Sequence, residues 1–166
     1  VRIHGIITNG GVAANIVPDK AVAQFYFRAS TKEILDDVLV KVKNIAQGAA
    51  LMTGSKLEMT RYELPNDNLK TNKSLSEAFS KNLRKLGVKD IYEAKDTGSS
   101  DIGNVSHKTP TIHPYIGISN CNVTGHSVNM ADATITSFAH ERLLIGTLAL
   151  AYTGYDVLMN KVNLDQ

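Results

Sequence analysis

The sequence predicts a mixed α/β chain of the α+β kind, arranged in two segments. Three observations predict it. Residues 2–8 and 21–28 are β-branched or alternating, as strands are. Three longer stretches carry apolar residues at intervals of three and four, the helical spacing. Between residues 97 and 126 the chain gathers four glycines, four serines, two prolines and three of its five histidines. Gly and Pro break helices and Ser favours turns, so that stretch reads as loop, strand, loop.

The elements follow in order. Residues 2–8, RIHGIIT, form a strand, and Asn9-Gly10-Gly11 is a turn signal. A loop then runs to Asp19. In residues 21–28, Ala21, Ala23, Phe25 and Phe27 share one face, and Val22, Gln24, Tyr26 and Arg28 the other. The two strands make a loose hairpin. Ser30 and Glu33 have capping-box spacing and predict a helix start. Leu35, Val38, Leu39, Val42, Ile45, Ala46 and Ala49 form its apolar stripe, and Gly54 ends it. Residues 56–64 are the next strand candidate. The order β-β-α-β is that of a ferredoxin-like β-α-β-β-α-β unit lacking its first strand and helix.

Residues 65–72 are polar and read as a linker, so the expected boundary falls between segments 1–65 and 66–166. Ser74 and Glu77 repeat the capping-box spacing. Leu75, Ala78, Phe79, Leu83 and Leu86 make that helix amphipathic, and Gly87 suits its C-terminal end. After the loop-rich stretch, residues 135–158 predict a long helix turning Phe138, Leu144, Ile145, Leu148, Tyr152 and Tyr155 toward a core.

Composition narrows the function classes. The 166 residues carry a formal charge of +2 with scattered basic residues, so nothing forms a nucleic-acid stripe. The single cysteine, Cys121, excludes an internal disulfide and fits a reducing, cytoplasmic compartment. The apolar run 143–152 contains Gly146 and Thr147 and is too short to span a bilayer. The chain opens at Val1 without methionine or signal peptide, directly inside a strand, as a fragment does.

No nucleotide-binding glycine motif, P-loop lysine or H-E-x-x-H occurs, and Cys121 near His126 gives no warrant for a nucleophile. His126, in Thr124-Gly125-His126-Ser127, could present its ring to a metal or act as a hydrogen-bonded loop residue. His113, beside Pro114, has the same two readings, while His107 and His140 read as surface residues and His4 points from a strand. Asn15 and Arg28 flank the hairpin connection. An arginine fork with an asparagine amide suits a carboxylate; the alternative is an exposed arginine and a turn-holding asparagine.

Four stretches together carry a family resemblance: HGIITNGGVAANIVPD at 4–19, FYFRAS at 25–30, TGSSDIGNVSHKTPTIHPYIGI at 97–118 and GHS at 125–127. The chain resembles the di-metal amidohydrolases of the aminoacylase and carboxypeptidase G type, metallopeptidase clan MH, and within them the aminobenzoyl-glutamate hydrolase and dipeptidase branch. The resemblance implies that residues 1–65 are part of a ferredoxin-like lid that mediates homodimerisation. It implies that residues 66–166 are the C-terminal part of a zinc-peptidase-like α/β catalytic domain.

By the same resemblance, Asn15 and Arg28 hold the substrate carboxylate, and Gly98, Ser99 and Ser100 line the substrate pocket. Asp101 fixes that loop, and His126 is the last ligand of two divalent metal ions, zinc or else manganese or cobalt. The other ligands and the general base precede the lid in the family and are not in this sequence, so no catalytic residue is assigned here. His107 stands where the family pattern has an aromatic residue. The implied reaction is hydrolysis of an amide bond beside a free carboxylate, in an N-acyl amino acid, aminobenzoyl-glutamate or dipeptide-like substrate. This chain alone is expected to be inactive. The rival readings are a non-enzymatic dimerisation or carboxylate-binding module and a truncated product with no role.

Overall fold

The computed structural model describes residues 1–93 and 100–164. The chain divides into two compact units, Val1–Asn68 and Leu69–Gln166. As the sequence predicts, it mixes a small antiparallel sheet with helices.

In the first unit, β1 (Arg2–Asn9) pairs antiparallel with β2 (Val22–Arg28), from Arg2 opposite Arg28 to Asn9 opposite Val22. The register shifts between Ile7 and Asn9, a bulge where the Thr8 hydroxyl donates to the Val22 carbonyl at 3.2 Å. Gly5 faces Phe25, and a Cβ there would meet the Phe25 ring at 2.3 Å; only glycine lets the ring lie over its partner strand. In the connection, the Gly11 N–H donates to Asn9 Oδ1 and Gly11 itself takes a φ of 104°.

Helix α1 (Lys32–Thr53) packs against β2. Its cap is Thr31, not Ser30: the Thr31 hydroxyl accepts from the Ile34 N–H at 3.4 Å. Glu33 then stands in the first turn, where its charge suits the helix dipole but cannot close a capping box. Gly54, at φ 67°, ends the helix as expected, with the Ser55 N–H donating to the Ala50 carbonyl.

Residues 56–64 form no strand, which corrects the expected β-β-α-β order to β-β-α. In a ferredoxin-like sheet the last strand hydrogen-bonds to the first, and the described sheet contains only β1 and β2. An extended segment without a ladder partner is not a strand.

The second unit is built on α2 (Lys73–Lys85) and α5 (Ser137–Leu158), which pack together. Asn72, not Ser74, caps α2, its Oδ1 accepting from the Leu75 N–H at 2.9 Å. Gly87 takes a φ of 88°, and the Gly87 and Val88 N–H groups donate to the Arg84 and Leu83 carbonyls. That is a complete Schellman stop, and it carries Val88 into the core beside Leu83.

Phe79, Leu83, Val88 and Ala149 form the buried cluster, with Ile112, Ile116 and Ile145 against it. Of the residues expected to face the core from α5, Ile145 does so, while Leu144, Leu148, Tyr152 and Tyr155 are exposed. Small residues allow the close approach. Ala149 is fully buried, and a Cβ on Gly146 would lie 2.9 Å from Ile116. The long apolar side chains therefore fall outside the contact.

Among its described residues the loop-rich stretch holds no strand, contrary to expectation. Residues 110–118 make one isolated bridge, Thr111 to Thr71. Ile112 and Ile116 are instead drawn onto the core, where packing replaces a ladder. Two short helices appear that periodicity did not reveal, α3 (Ile102–Ser106) and α4 (Val128–Thr134). Thr136 both ends α4, donating to the Ala133 carbonyl, and caps α5, accepting from the Ala139 N–H. No helix among the described residues is long and apolar enough to cross a membrane.

Candidate functional site

In the first unit, the charged face of the hairpin gathers Arg2, His4, Tyr26 and Arg28. Arg2 pairs with Arg28 and His4 with Tyr26, so these side chains leave one face of the sheet. Two arginines directly opposite repel one another. Among the described residues neither has a carboxylate within ion-pair distance. The Arg28 guanidinium lies 5.9 Å from the Tyr26 ring centroid. Tyr26 meets Tyr62 edge-on at 5.7 Å. The Glu63 carboxylate, then Tyr62, holds the Tyr26 phenol well above its ordinary pKa, since a neighbouring carboxylate disfavours phenolate.

Asn15 lies in the connection beyond the Asn9/Val22 end of the ladder, while Arg28 closes the other end. The seven residues of β2 between those ends span about 20 Å. Hairpin geometry alone thus does not join the pair, and no hydrogen bond between them occurs among the described residues. Their joint role rests on the resemblance, not on their spacing.

In the second unit, His126 is exposed and takes a φ of 56°. A left-handed backbone costs a non-glycine residue about 1–2 kcal/mol. Ser127 holds the turn, donating to the Thr124 carbonyl at 2.6 Å and accepting from the Met130 N–H at 3.2 Å. The cap of α4 holds this turn in place.

Ser100 donates to Asp101 Oδ1 at 3.4 Å and accepts from the Ile102 N–H, so Asp101 does accept within its loop. Gly98 and Ser99 lie outside the described residues. The His113 ring lies 5.3 Å from that of Tyr115, tilted by 34°. Among the described residues no three His, Cys, Asp or Glu side chains cluster to hold a metal ion. The residues present therefore do not fit a metal pair by themselves, and His126 can offer a single ligand.

A family model described as a peptidase dimerisation domain matches residues 4–52, the hairpin and most of α1. The likeness extends through both units. The chain is 37% identical over 161 residues to a human (Homo sapiens) Xaa-Arg dipeptidase, an alignment covering 95% of this chain and 37% of that protein. The chain belongs to the aminoacylase and carboxypeptidase G family of peptidases.

Within this amidohydrolase family, the Mus musculus Xaa-Arg dipeptidase is 34% identical over 168 residues, covering 99% of this chain and 39% of that protein. One of the polypeptides of the Escherichia coli p-aminobenzoyl-glutamate hydrolase is 32% identical over 88 residues, 52% of this chain and 18% of that protein. The chain thus spans well under half the length of these relatives. The mixed sheet-and-helix architecture agrees with a partial ferredoxin-like lid for the matched residues 4–52. Sequence reasoning placed Tyr26 on the Arg28 face but missed Arg2 opposite Arg28 and Tyr62 against Tyr26. The signal available for Arg2 was strand parity across the hairpin, since Arg2 lies opposite Arg28 on the partner strand.

Proposed function

We propose that this chain is the carboxylate-recognising and self-associating portion of a metal-dependent amidohydrolase that cleaves an amide bond beside a free carboxylate. Arg28 carries the reading. Its guanidinium is exposed and without an ion-pair partner among the described residues, and it stands inside the segment matched by the dimerisation-domain model. A planar fork of N–H donors suits a substrate carboxylate, and Asn15 is its proposed companion. Gly98, Ser99 and Ser100 are proposed to line the pocket. His126 is the proposed metal ligand, with the remaining ligands and the general base supplied from outside this chain.

The proposed substrates are dipeptide-like molecules or aminobenzoyl-glutamate, the chemistry named for the relatives, and N-acyl amino acids, which the family resemblance implies. The proposed assembly is a homodimer. Strand β1 pairs only with β2 in the described sheet, its other edge is open, and it carries Ile3, Ile6 and Ile7 without proline. Such an edge invites pairing with a second copy. Ile6→Lys is expected to lower self-association in analytical ultracentrifugation.

The test uses the complete hydrolase carrying this chain, assayed on Xaa-Arg dipeptides and aminobenzoyl-glutamate with and without a chelator. Arg28→Lys is expected to raise KM about tenfold, because a point charge replaces a fork. Unchanged KM would remove Arg28 from the site. A protein that dimerises but hydrolyses none of these substrates would be a non-enzymatic binding module.

A further inference from the structure

In the second unit, a surface cavity of about 270 Å³ opens beside the start of α2 and the end of α3. Two stretches line it, Lys70 to Asn72 and Ser106 to Pro110. Hydrogen bonds hold both in place. The Lys70 N–H donates to Ser106 Oγ at 2.9 Å, and the Asn72 N–H to the Thr111 carbonyl at 2.9 Å. The Lys108 and Thr109 N–H groups both donate to the Val105 carbonyl. The walls are therefore set before any ligand arrives, which reduces what binding must order.

The lining carries one sign of charge. It includes Lys70, His107 and Lys108 and no carboxylate. Among the described residues neither lysine forms an ion pair. The larger cavity beside α2 and the end of α5 differs, since Glu77 and Asp156 line it together with Lys81, Lys85 and Lys161. A cleft lined by one sign of charge concentrates counter-ions. The hydroxyls of Thr71 and Thr109 can also donate to an oxyanion.

We propose that the cavity at Lys70 and Lys108 binds a doubly charged tetrahedral oxyanion, phosphate. Two ammonium groups match its two charges, and its oxygens diverge enough to accept from both stretches at once. A carboxylate is planar and carries a single charge. The cavity is smaller than those of drug-sized ligands, about 300–1,000 Å³, so a small anion suits it. His107 adds a ring N–H. Neither Arg28 nor His126 lines this cavity, so the proposal stands apart from the reading of Arg28 as a carboxylate ligand.

The experiment titrates sodium phosphate into the 166-residue chain at constant pH, exchanging it for sodium chloride at constant ionic strength, and follows backbone amides by NMR. Saturable shifts are expected at Thr71, His107, Lys108 and Thr109. The Kd should be millimolar, because both lysines are exposed. Lys70→Ala/Lys108→Ala should weaken binding about tenfold, with circular dichroism showing an unchanged fold. Lys81→Ala/Lys89→Ala removes the same charge elsewhere and should bind like wild type. Acetate should bind about tenfold more weakly than phosphate. Equal weakening by the two double variants would reduce the effect to net charge and overturn the proposal. So would the absence of saturable shifts, and acetate binding as tightly as phosphate would overturn the assignment of a tetrahedral dianion.

Discussion

The two units of this chain hold their apolar residues in opposite ways. Every buried residue among the described residues lies in the second unit, from Asn72 to Thr153. In the first unit, α1 runs 22 residues without burying one, and Ile7 and Ile45 remain 74% and 71% exposed. The first unit does not lack apolar residues. It lacks layers: two strands and one helix bury too little of their surfaces, and sheets this small are marginal alone. The second unit succeeds because small residues on α5 admit α2 closely enough to enclose Phe79 and Leu83.

Core truncation gives the largest expected contrast. Leu83→Ala should cost about 2–4 kcal/mol in urea denaturation, since Leu83 is 6% exposed in the cluster. Ile45→Ala, on the exposed side of α1, should cost within about 0.5 kcal/mol. Comparable losses at both positions would mean that α1 is buried in solution, and the contrast between the units would disappear.

A smaller effect is expected at the polar bridge between α2 and α5. Asn82 is fully buried, its amide donating to Thr153 Oγ1 at 3.3 Å and to Asp156 Oδ2 at 3.1 Å, while Lys85 donates to its carbonyl oxygen. Asn82→Ala strands those partners and should cost about 1–3 kcal/mol. Hydrogen exchange sharpens the comparison: amides of α2 and α5 should be the slowest in the chain, and the variant should accelerate them without changing β1.

The smallest effect is a pH dependence. The Asn82 bond, then Lys85 and Lys161, hold the Asp156 carboxyl below its ordinary value. A depressed pKa means that this contribution is present above the ordinary carboxylate range near 4 and fades as pH falls through the folded value. Stability of the second unit should therefore drop on acidification, and Asp156→Asn should flatten that limb in a thermal-melt series. An unchanged acid limb in the variant would show that other carboxylates set it.

The sequence by itself determined the local elements. Alternation placed β1 and β2, three-and-four spacing placed α1, α2 and α5, and Gly54 and Gly87 marked helix ends because only glycine takes the left-handed turn freely. Which capping residue closed each helix was decided by the fold: Thr31 and Asn72 won over Ser30 and Ser74 because the backbone donors lay above them. Residues 56–64 and 110–118 have strand composition, but a strand exists only where another strand supplies its hydrogen bonds. The orientation of α5, the opposition of Arg2 and Arg28, and the edge-on contact of Tyr62 with Tyr26 are contacts between distant positions. No local pattern encodes them, because they depend on which surfaces meet once the elements pack.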